Sequence, residues 1–493
     1  MNTLLKAMKE NNNVTRTENG DIAYKSTMSG LMDLFAFGGA YRRRNEEDCI
    51  LLFKQALVEN ETLALKCLFY LRDVRGGQGE RRFFRVCMKW LANTHPEAAR
   101  RNLPFIAEYG RYDDYYLFVD TLLEKDMFAF LKHQLALDVE CKTPSLLAKW
   151  LKSENTSSAA SRVLGIKTRE AFGMTPKQYR KTLSTLREKI RVLERLMSEN
   201  RWDEIEFDKI PSKAGMIYRN AFARRDIIKA QYEAFAKSET TKVNAGALYP
   251  CDVVAQARNE YYRSLDSSTR LMVNKYWDNL EDYFKGATFD GVAVVDTSGS
   301  MTWGGEAIKP IDVAIALGMY CGEKCGENSP WYGHYITFSK RARLVPITGV
   351  DFVDKVKRIE DANLCENTNI QSVFDLVLTM AIKNHVPDSE MPKNIIIISD
   401  MQFDSACSDT RANQVESVME TCMKEYCAHG YSLPHLVFWN VDARNDTLAM
   451  RDNGNVTFVS GYSPVLFEQV MTGKTGLDLV LAKINSERYA QIK

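Results

Sequence analysis

The hydrophobic pattern of this chain changes once, near Lys285, and this change constrains the fold more than any other feature. From about Glu46 to Phe284, apolar residues recur at spacings of three and four, with polar breaks every 15 to 25 residues. Such a pattern predicts successive amphipathic helices. Because no strict repeat is present, we expect residues 1–285 to form an irregular α-helical solenoid.

After Lys285, short aliphatic or β-branched runs alternate with helical stretches. This alternation predicts a doubly wound, mostly parallel sheet with helices on both faces in residues 286–493. In such folds, ligands bind at the carboxyl ends of the strands. The predicted strands are Gly291–Asp296, Tyr332–Phe338, Leu344–Ile347, Asn394–Asp400, His435–Asn440 and Val456–Ser460.

Composition indicates a globular chain without a membrane-spanning segment. The 493 residues are 45% apolar with a formal net charge of +1, which excludes an intrinsically disordered protein. The longest aliphatic runs are far shorter than the roughly 20 residues that cross a bilayer. Eleven cysteines, an odd number without a secretory signal, predict free thiols in a reducing compartment. We therefore expect a monomeric cytoplasmic protein.

The small net charge conceals an asymmetry between the two regions. Residues 286–493 hold 18 Lys and Arg against 26 Asp and Glu, whereas residues 1–285 hold 47 against 38. The excess of positive charge is concentrated between Lys142 and Arg195, where 13 basic residues stand against four glutamates. A tract of this kind favours an anionic partner.

A cluster of oxygen-bearing side chains follows the first predicted strand. In Asp296-Thr297-Ser298-Gly299-Ser300, the D-x-S-x-S spacing places one carboxylate and two hydroxyls on a tight loop at the carboxyl edge of the sheet. Downstream, Thr368 precedes a helix and Asp400 ends a second strand. Hydroxyl and carboxylate oxygens are the ligands that a hard divalent cation, Mg²⁺ or Mn²⁺, prefers.

These residues resemble the metal-ion-dependent adhesion site of the von Willebrand factor A domain, which combines D-x-S-x-S with a threonine and an aspartate on separate loops. The resemblance implies a Rossmann-like von Willebrand A domain in residues 286–493. The alternative is a strand end that serine and aspartate cap without any metal. The implied metal ligands are Asp296, Ser298, Ser300, Thr368 and Asp400.

Motifs in both regions look like those of Ro-type proteins, in which a TROVE module precedes a von Willebrand A domain, and of their uncharacterised plant and viral relatives. The resemblance implies a TROVE-like domain in residues 1–285, built as a HEAT-like solenoid or ring. The motifs are Leu71–Arg81, Tyr109–Asp114, Ala148–Leu151, Leu436–Asn440 and Phe458–Gly461.

This second resemblance implies RNA binding, with single-stranded 3′ ends entering the ring and structured RNA on a basic face. The basic tract agrees, because phosphate backbones require a positive field. The alternative is a merely solvated face, and the interleaved aromatics Trp150, Phe172, Tyr179 and Tyr218 are then core residues. The candidate RNA-binding residues are Lys149, Lys152, Arg162, Lys167, Arg169, Arg180, Lys181, Arg187, Lys189, Lys213, Arg219, Arg224 and Arg225.

The predicted function is a scaffold that binds small non-coding or misfolded RNA and is not an enzyme, with the metal site holding a protein partner. A different class of function, a metal-dependent protein-interaction module without RNA, remains as an alternative. A weaker alternative is a metal-dependent phosphoesterase that uses Asp296 and Asp400. The site offers two carboxylates and no evident base, which disfavours this reading.

Overall fold

The computed structural model describes residues 2–261, 267–303, 307–338, 341–362, 369–403, 418–450 and 455–493. Within these ranges, the region before residue 286 is helical apart from one short β-hairpin, and the later region forms a six-stranded sheet with helices on both faces. The mixed α/β architecture predicted from the hydrophobic pattern is confirmed. The HEAT-like solenoid or ring stays a prediction.

The helical region opens with a helix and the hairpin, and then continues as short helices. Its elements are α1 (Thr3–Asn13), β1 (Val14–Arg16), β2 (Ile22–Tyr24), α2 (Gly30–Phe37), α3 (Glu46–Glu59), α4 (Glu61–Arg72), α5 (Arg81–Thr94), α6 (Pro96–Asn102), α7 (Ile106–Tyr109), α8 (Glu124–Glu140), α9 (Leu147–Trp150), α10 (Ala159–Phe172), α11 (Pro176–Lys189), α12 (Leu193–Ser198), α13 (Ser212–Arg224), α14 (Asp226–Lys237), α15 (Pro250–Tyr261) and α16 (Ser267–Asp278).

The second region alternates strands and helices. Its elements are β3 (Gly291–Asp296), α17 (Pro310–Lys324), β4 (His334–Phe338), β5 (Leu344–Pro346), α18 (Phe352–Ala362), α19 (Gln371–Lys383), β6 (Asn394–Ser399), α20 (Val418–Ala428), β7 (His435–Asn440), β8 (Val456–Ser460), α21 (Leu466–Val470) and α22 (Gly476–Ile484).

The sheet has the strand order β5-β4-β3-β6-β7-β8. All neighbouring pairs are parallel except β4 with β5, which is an antiparallel edge pair. Each strand lies within two residues of its predicted bounds. Because β3 and β6 are adjacent and parallel, the residues that follow them meet at one edge of the sheet, which we call the carboxyl edge.

Both faces of the sheet are buried, and alternate residues of a strand face different cores. Val292 and Val294 of β3 pack with residues of α19 and α20, whereas Ala293 and Val295 pack with α17. A parallel strand that is covered on both sides reads as a continuous apolar run, as β3 and β6 do. The core on the α17 side is continuous with the core of the helical region.

The N-terminal segment, residues 14–44, packs against the sheet of the second region. Tyr24 in β2 forms a backbone bridge to Leu448, and α2 packs on the outer strand β8. Leu34 and Phe35 of α2 are 0% and 2% exposed there. Ser29 caps the start of this helix by accepting from the backbone N–H of Met32. The segment therefore completes the cover of one sheet face.

The C-terminal segment, residues 487–493, packs against the helical region in return. Tyr489 is 0% exposed and its hydroxyl donates to Asp73 at 2.9 Å. Arg488 pairs with the same carboxylate, with Nη2 at 2.6 Å from Oδ1. A Cβ at Gly76 would lie 2.7 Å from the Arg488 side chain. The absence of a side chain at Gly76 therefore leaves room for Arg488, and a larger residue at position 76 would displace the Arg488 side chain.

The predicted boundary at residue 285 stays a prediction, since segments from each side pack on the other. None of the helices within the described ranges is long and apolar enough to cross a membrane.

Candidate functional site

The carboxyl edge of the sheet brings together most of the residues predicted to hold a metal. Asp296 ends β3, and the backbone N–H of Ser298 donates to its Oδ1 at 2.9 Å. The hydroxyls of Ser298 and Ser300 lie 3.1 Å apart at the start of a 3₁₀ turn. One carboxylate and two hydroxyls thus share a single loop, as the D-x-S-x-S spacing predicts.

Asp400 reaches this loop from the neighbouring strand. It follows β6, and the hydroxyl of the preceding Ser399 donates to Asp296 Oδ2 at 2.6 Å. Asp296 and Asp400 are 0% and 1% exposed. Burial and then the nearby Asp400 carboxylate raise the pKa of Asp296 well above its usual value. Two buried carboxylates this close favour a positive charge between or beside them.

Arg444 supplies one positive charge to this edge, and the sequence pattern did not reveal it. Its guanidinium pairs with Asp400 from the loop that follows β7. Its other amine, Nη1, lies 3.8 Å from Glu18 of the N-terminal segment. The available sequence signal was its position just after a third parallel strand, at the same edge as Asp296 and Asp400.

The remaining predicted ligand, Thr368, lies outside the described residues. In the part of the chain that the structure describes, no group of three or more His, Cys, Asp or Glu residues is placed to hold a metal ion. The predicted set instead combines two carboxylates with hydroxyls. An all-oxygen set of this kind fits a hard divalent cation.

A second candidate site is a cavity of about 1060 Å³ inside the helical region, which we call the helical cavity. Eight arginines and lysines line it, against three glutamates. Its walls come from the start of α5, the turn at Arg111, and helices α9, α11, α12 and α13. Gly79 and Tyr249 close it, since a Cβ on Gly79 would lie 2.2 Å from the Tyr249 hydroxyl. The cavity is therefore a concave, positively charged surface.

Four of the predicted RNA-binding residues line the helical cavity: Lys149, Arg180, Arg187 and Lys213. A Thr175–Gln178 capping box and Pro176 start α11, the helix that carries Arg180 and Arg187. Arg180 is exposed at the cavity. Lys149 Nζ lies 3.7 Å from Glu194, and Lys213 Nζ lies 3.2 Å from Asp252.

Arg187 has a structural role in the wall. It donates to the carbonyls of Ala148 and Leu151 at 2.8 and 2.9 Å, and to Ser153 Oγ at 3.0 Å. Burial lowers the pKa of its guanidinium. These three hydrogen bonds hold the turn after α9 against α11, so Arg187 positions Lys149 and Trp150.

Most of the predicted basic residues lie away from the helical cavity. Arg169 Nε is 2.6 Å from Glu154, and Lys167 Nζ is 2.8 Å from Asp120. Exposed pairs such as the second one leave little positive field for an external anion. The predicted residues that do not line the cavity are Lys152, Arg162, Lys167, Arg169, Lys181, Lys189, Arg219, Arg224 and Arg225.

The aromatic residues of the tract divide between the core and the cavity. Phe172 and Tyr179 are 3% and 0% exposed and therefore serve as core residues, and Tyr179 also borders the helical cavity. Trp150 and Tyr218 are half-buried and line the helical cavity. The Arg111 guanidinium lies over the Trp150 ring, with Cζ at 4.2 Å from its centroid.

Three further arginines, Arg72, Arg81 and Arg111, line the helical cavity. The sequence pointed to Arg81 as a residue of the Gly-rich turn that is free to touch RNA, but it did not point to Arg72 or Arg111. The three arginines surround Asp113 and Asp114. The available sequence signals were the Leu71–Arg81 motif, which contains Arg72 and Arg81, and the Tyr109–Asp114 motif, which contains Arg111 and both aspartates.

Comparisons with known proteins bear on both regions. Residues 17–111 and 137–286 match the family described as domain of unknown function DUF2828, and residues 290–489 match domain of unknown function DUF7788. The Ro (RSR) protein of Deinococcus radiodurans, a solved structure, gives a TM-score of 0.49 at 13% identity, with 94% of this chain and 100% of that chain covered.

An uncharacterized protein of Acanthamoeba polyphaga mimivirus is 32% identical over an alignment of 512 positions, which covers 94% of this chain and 85% of the viral protein. The expected relation to a viral protein is thereby confirmed. At this identity and coverage, the chain belongs to the same family as the mimivirus protein, with a DUF2828 region before a DUF7788 region.

Proposed function

We propose that this protein is an RNA-binding scaffold of the Ro type that holds unpaired RNA in the helical cavity. The observation that carries the proposal is the lining of that cavity, in which eight basic side chains stand against three acidic ones. A groove of net positive charge is the common requirement for holding a nucleic-acid backbone.

The size and lining of the cavity favour a strand over a small molecule. Its volume of about 1060 Å³ slightly exceeds the range of about 300–1,000 Å³ that is typical of small-molecule pockets. Trp150 and Tyr218 offer aromatic surface among the basic residues. Unpaired bases stack on aromatic rings while phosphates pair with Arg and Lys. The preference for a single-stranded 3′ end follows from the Ro-type resemblance.

We further propose that the carboxyl edge binds Mg²⁺ or Mn²⁺ through Asp296, Ser298, Ser300, Thr368 and Asp400. A bound ion would supply positive charge to Asp296 and Asp400 and leave a position for a carboxylate of a protein partner. Neither aspartate is placed as a general base, because Asp296 is buried and Asp400 is paired with Arg444. A binding role therefore accounts for this edge better than phosphoester hydrolysis.

The test is RNA binding by the full-length chain, measured by fluorescence anisotropy with an unstructured RNA over a series of salt concentrations. Each phosphate contact on a single strand should contribute about −0.7 to the slope of log K against log salt. Arg180→Glu, inside the helical cavity, should weaken binding and flatten the slope by about 0.7. The matched control is Arg162→Glu, since Arg162 is an exposed arginine of α10 that does not line the cavity.

Equal weakening by Arg180→Glu and Arg162→Glu would place RNA on the outer surface and reject the cavity. An absence of RNA binding by the unmodified protein would reject the RNA function. The protein-interaction module would then be the better account of the chain.

A further inference from the structure

Four arginines converge on two buried aspartates in the wall of the helical cavity. We call this group the arginine cluster. It consists of Arg72, Arg81, Arg85 and Arg111 around Asp113 and Asp114.

The two carboxylates are fully engaged within the arginine cluster. Asp114 accepts from Arg72 Nε and Nη2 at 2.9 and 2.6 Å and from Arg85 Nε at 2.6 Å. Asp113 accepts from Arg111 Nε and Nη2, both at 3.0 Å, and from Arg81. Asp113 and Asp114 are 6% and 0% exposed. The aspartates therefore orient the arginines and have no accepting capacity for a cationic ligand.

The arginine cluster carries an excess of two positive charges, since four guanidinium groups surround two carboxylates. Burial and the neighbouring Arg85 lower the pKa of Arg81, and Arg111 acts in the same direction. The Nε–H of Arg81 is buried and lies 3.5 Å from Asp114 Oδ1, so this atom faces the carboxylates. Positive charge thus exceeds what the two carboxylates of the cluster balance.

The exposed side of the arginine cluster opens into the helical cavity. Arg81 and Arg111 line the cavity and have side chains that are 41% and 34% exposed. Arg72 is 2% exposed and serves as the support behind them. The ring of Trp150 packs against the Arg111 guanidinium and helps to fix its position. Rigid guanidinium groups with open donors are suited to an anion with several acceptor oxygens.

We propose that the arginine cluster binds the terminal phosphate of the strand that occupies the helical cavity. The inference rests on the proposed RNA function and specifies its substrate. A terminal phosphomonoester carries a charge of about −1.5 to −2 near neutral pH, which matches the excess of the cluster. An internal phosphodiester carries a single negative charge and leaves half of the excess unmatched. The cavity therefore discriminates a phosphorylated strand end from a hydroxyl end.

The experiment compares one short unstructured RNA prepared with a 5′-phosphate, with a 3′-phosphate, or with hydroxyls at both ends. Affinity for the full-length protein is measured at fixed salt. One phosphorylated form should bind about tenfold more tightly than the hydroxyl form, as expected for one or two added charge-assisted hydrogen bonds. The two phosphorylated forms distinguish which end of the strand the cluster receives.

Arg81→Gln and Arg111→Gln should remove this discrimination, and Arg81→Lys should retain part of it. Arg180→Gln, on the same cavity but outside the arginine cluster, should weaken phosphorylated and hydroxyl RNA by the same factor. Thermal unfolding of each variant shows whether it folds. If the arginine variants fail to fold, inorganic phosphate provides the test. It should raise the Tm of the unmodified protein and, by competing for the arginine cluster, reduce the preference of this protein for phosphorylated over hydroxyl RNA.

Equal affinity for all three RNA forms, with RNA bound, would overturn this inference and leave the proposed function intact. If no RNA binds, the proposed function fails. In that case, inorganic phosphate could still raise the Tm of the unmodified protein but not that of Arg111→Gln, and the phosphate site alone would be retained. If inorganic phosphate does not raise the Tm, the phosphate site is rejected together with the RNA function.

Discussion

The carboxyl edge of the sheet and the arginine cluster are built from the same two kinds of side chain in opposite ratio. At the carboxyl edge, Asp296 and Asp400 meet one guanidinium, that of Arg444. In the arginine cluster, four guanidinium groups meet Asp113 and Asp114. An excess of like charge in a buried site destabilises the fold unless a ligand of opposite sign compensates it. The first site is therefore suited to a cation and the second to an anion.

The largest expected effect comes from removing one carboxylate of the arginine cluster. Asp114→Asn leaves Arg72, which is 2% exposed, without its charged partner. Breaking a buried pair in this way typically costs about 3–5 kcal/mol. The free energy of unfolding should fall accordingly in urea denaturation. The control is Asp120→Asn, which removes the exposed partner of Lys167 and should leave stability nearly unchanged.

If Asp114→Asn and Asp120→Asn lower the free energy of unfolding by similar amounts, Asp114 does not stabilise the buried guanidinium of Arg72. The two aspartates would then not account for how four arginines are held together at the cavity wall.

A smaller effect is expected at the carboxyl edge. Arg444→Gln removes the positive charge beside Asp400, so the variant should have a lower Tm without metal. Mg²⁺ or Mn²⁺ should then raise the Tm of Arg444→Gln more than that of the unmodified chain, because the ion no longer competes with a guanidinium. At ten times the Kd, selective binding to the folded state stabilises it by about 1.4 kcal/mol.

The matched control is Arg43→Gln, because Arg43 pairs with Asp442 at the same edge at 3.3 Å and does not contact Asp400. Asp296→Ala should abolish the metal-dependent shift. An identical metal response in all of these variants would argue against a cation site at this edge.

The smallest expected effect is the pH dependence of the stability that Asp114 contributes to the arginine cluster. Burial alone would raise the pKa of Asp114, but the charges of Arg72 and Arg85 and the hydrogen bonds from Arg72 and the Arg111 backbone together lower it. The pKa of Asp114 in the folded state therefore lies below its pKa in the unfolded state, which is near 3.8. Its contribution to stability is present above that value and is lost as the pH falls through the folded pKa. The difference in Tm between the unmodified chain and Asp114→Asn should narrow as the pH falls below 4.

A difference in Tm that is constant from pH 7 to pH 3 would contradict this assignment of the Asp114 pKa.

The two sites also differ in how far they could be predicted. The central strands β3 and β6 were predictable because each is an aliphatic run buried on both faces, and parallel strands bring their carboxyl ends together. Asp296, Ser298, Ser300 and Asp400 therefore converge as their positions in the sequence suggest. Arg444 was not predictable, since a single arginine after a strand is a weak signal.

The helical cavity was harder to predict because the count of basic residues does not reveal their partners. Arg169 looked available in the sequence, yet Glu154 lies 2.6 Å from its Nε. Arg111 stands in the Tyr109–Asp114 motif and was not among the predicted RNA-binding residues, yet it lines the helical cavity. Tertiary packing determines which charged side chains form ion pairs, and the sequence does not show it.

The hairpin of the N-terminal segment was not predicted either. Its strands have three residues each, which is too short for an alternating hydrophobic pattern to be seen.

The exchange of end segments between the two regions has a consequence for the order of synthesis. Tyr489 hydrogen-bonds to Asp73 across 416 residues of sequence, and Thr17 hydrogen-bonds to Phe403 across 386. At a synthesis rate of about 5–20 residues per second, the first segment waits at least about 20 seconds for its partner to emerge. Leu34 and Phe35 of α2 remain without their sheet contacts during that time. A growing chain of this length therefore exposes apolar surface until its last strands are made, and it is a natural client for a chaperone at the ribosome.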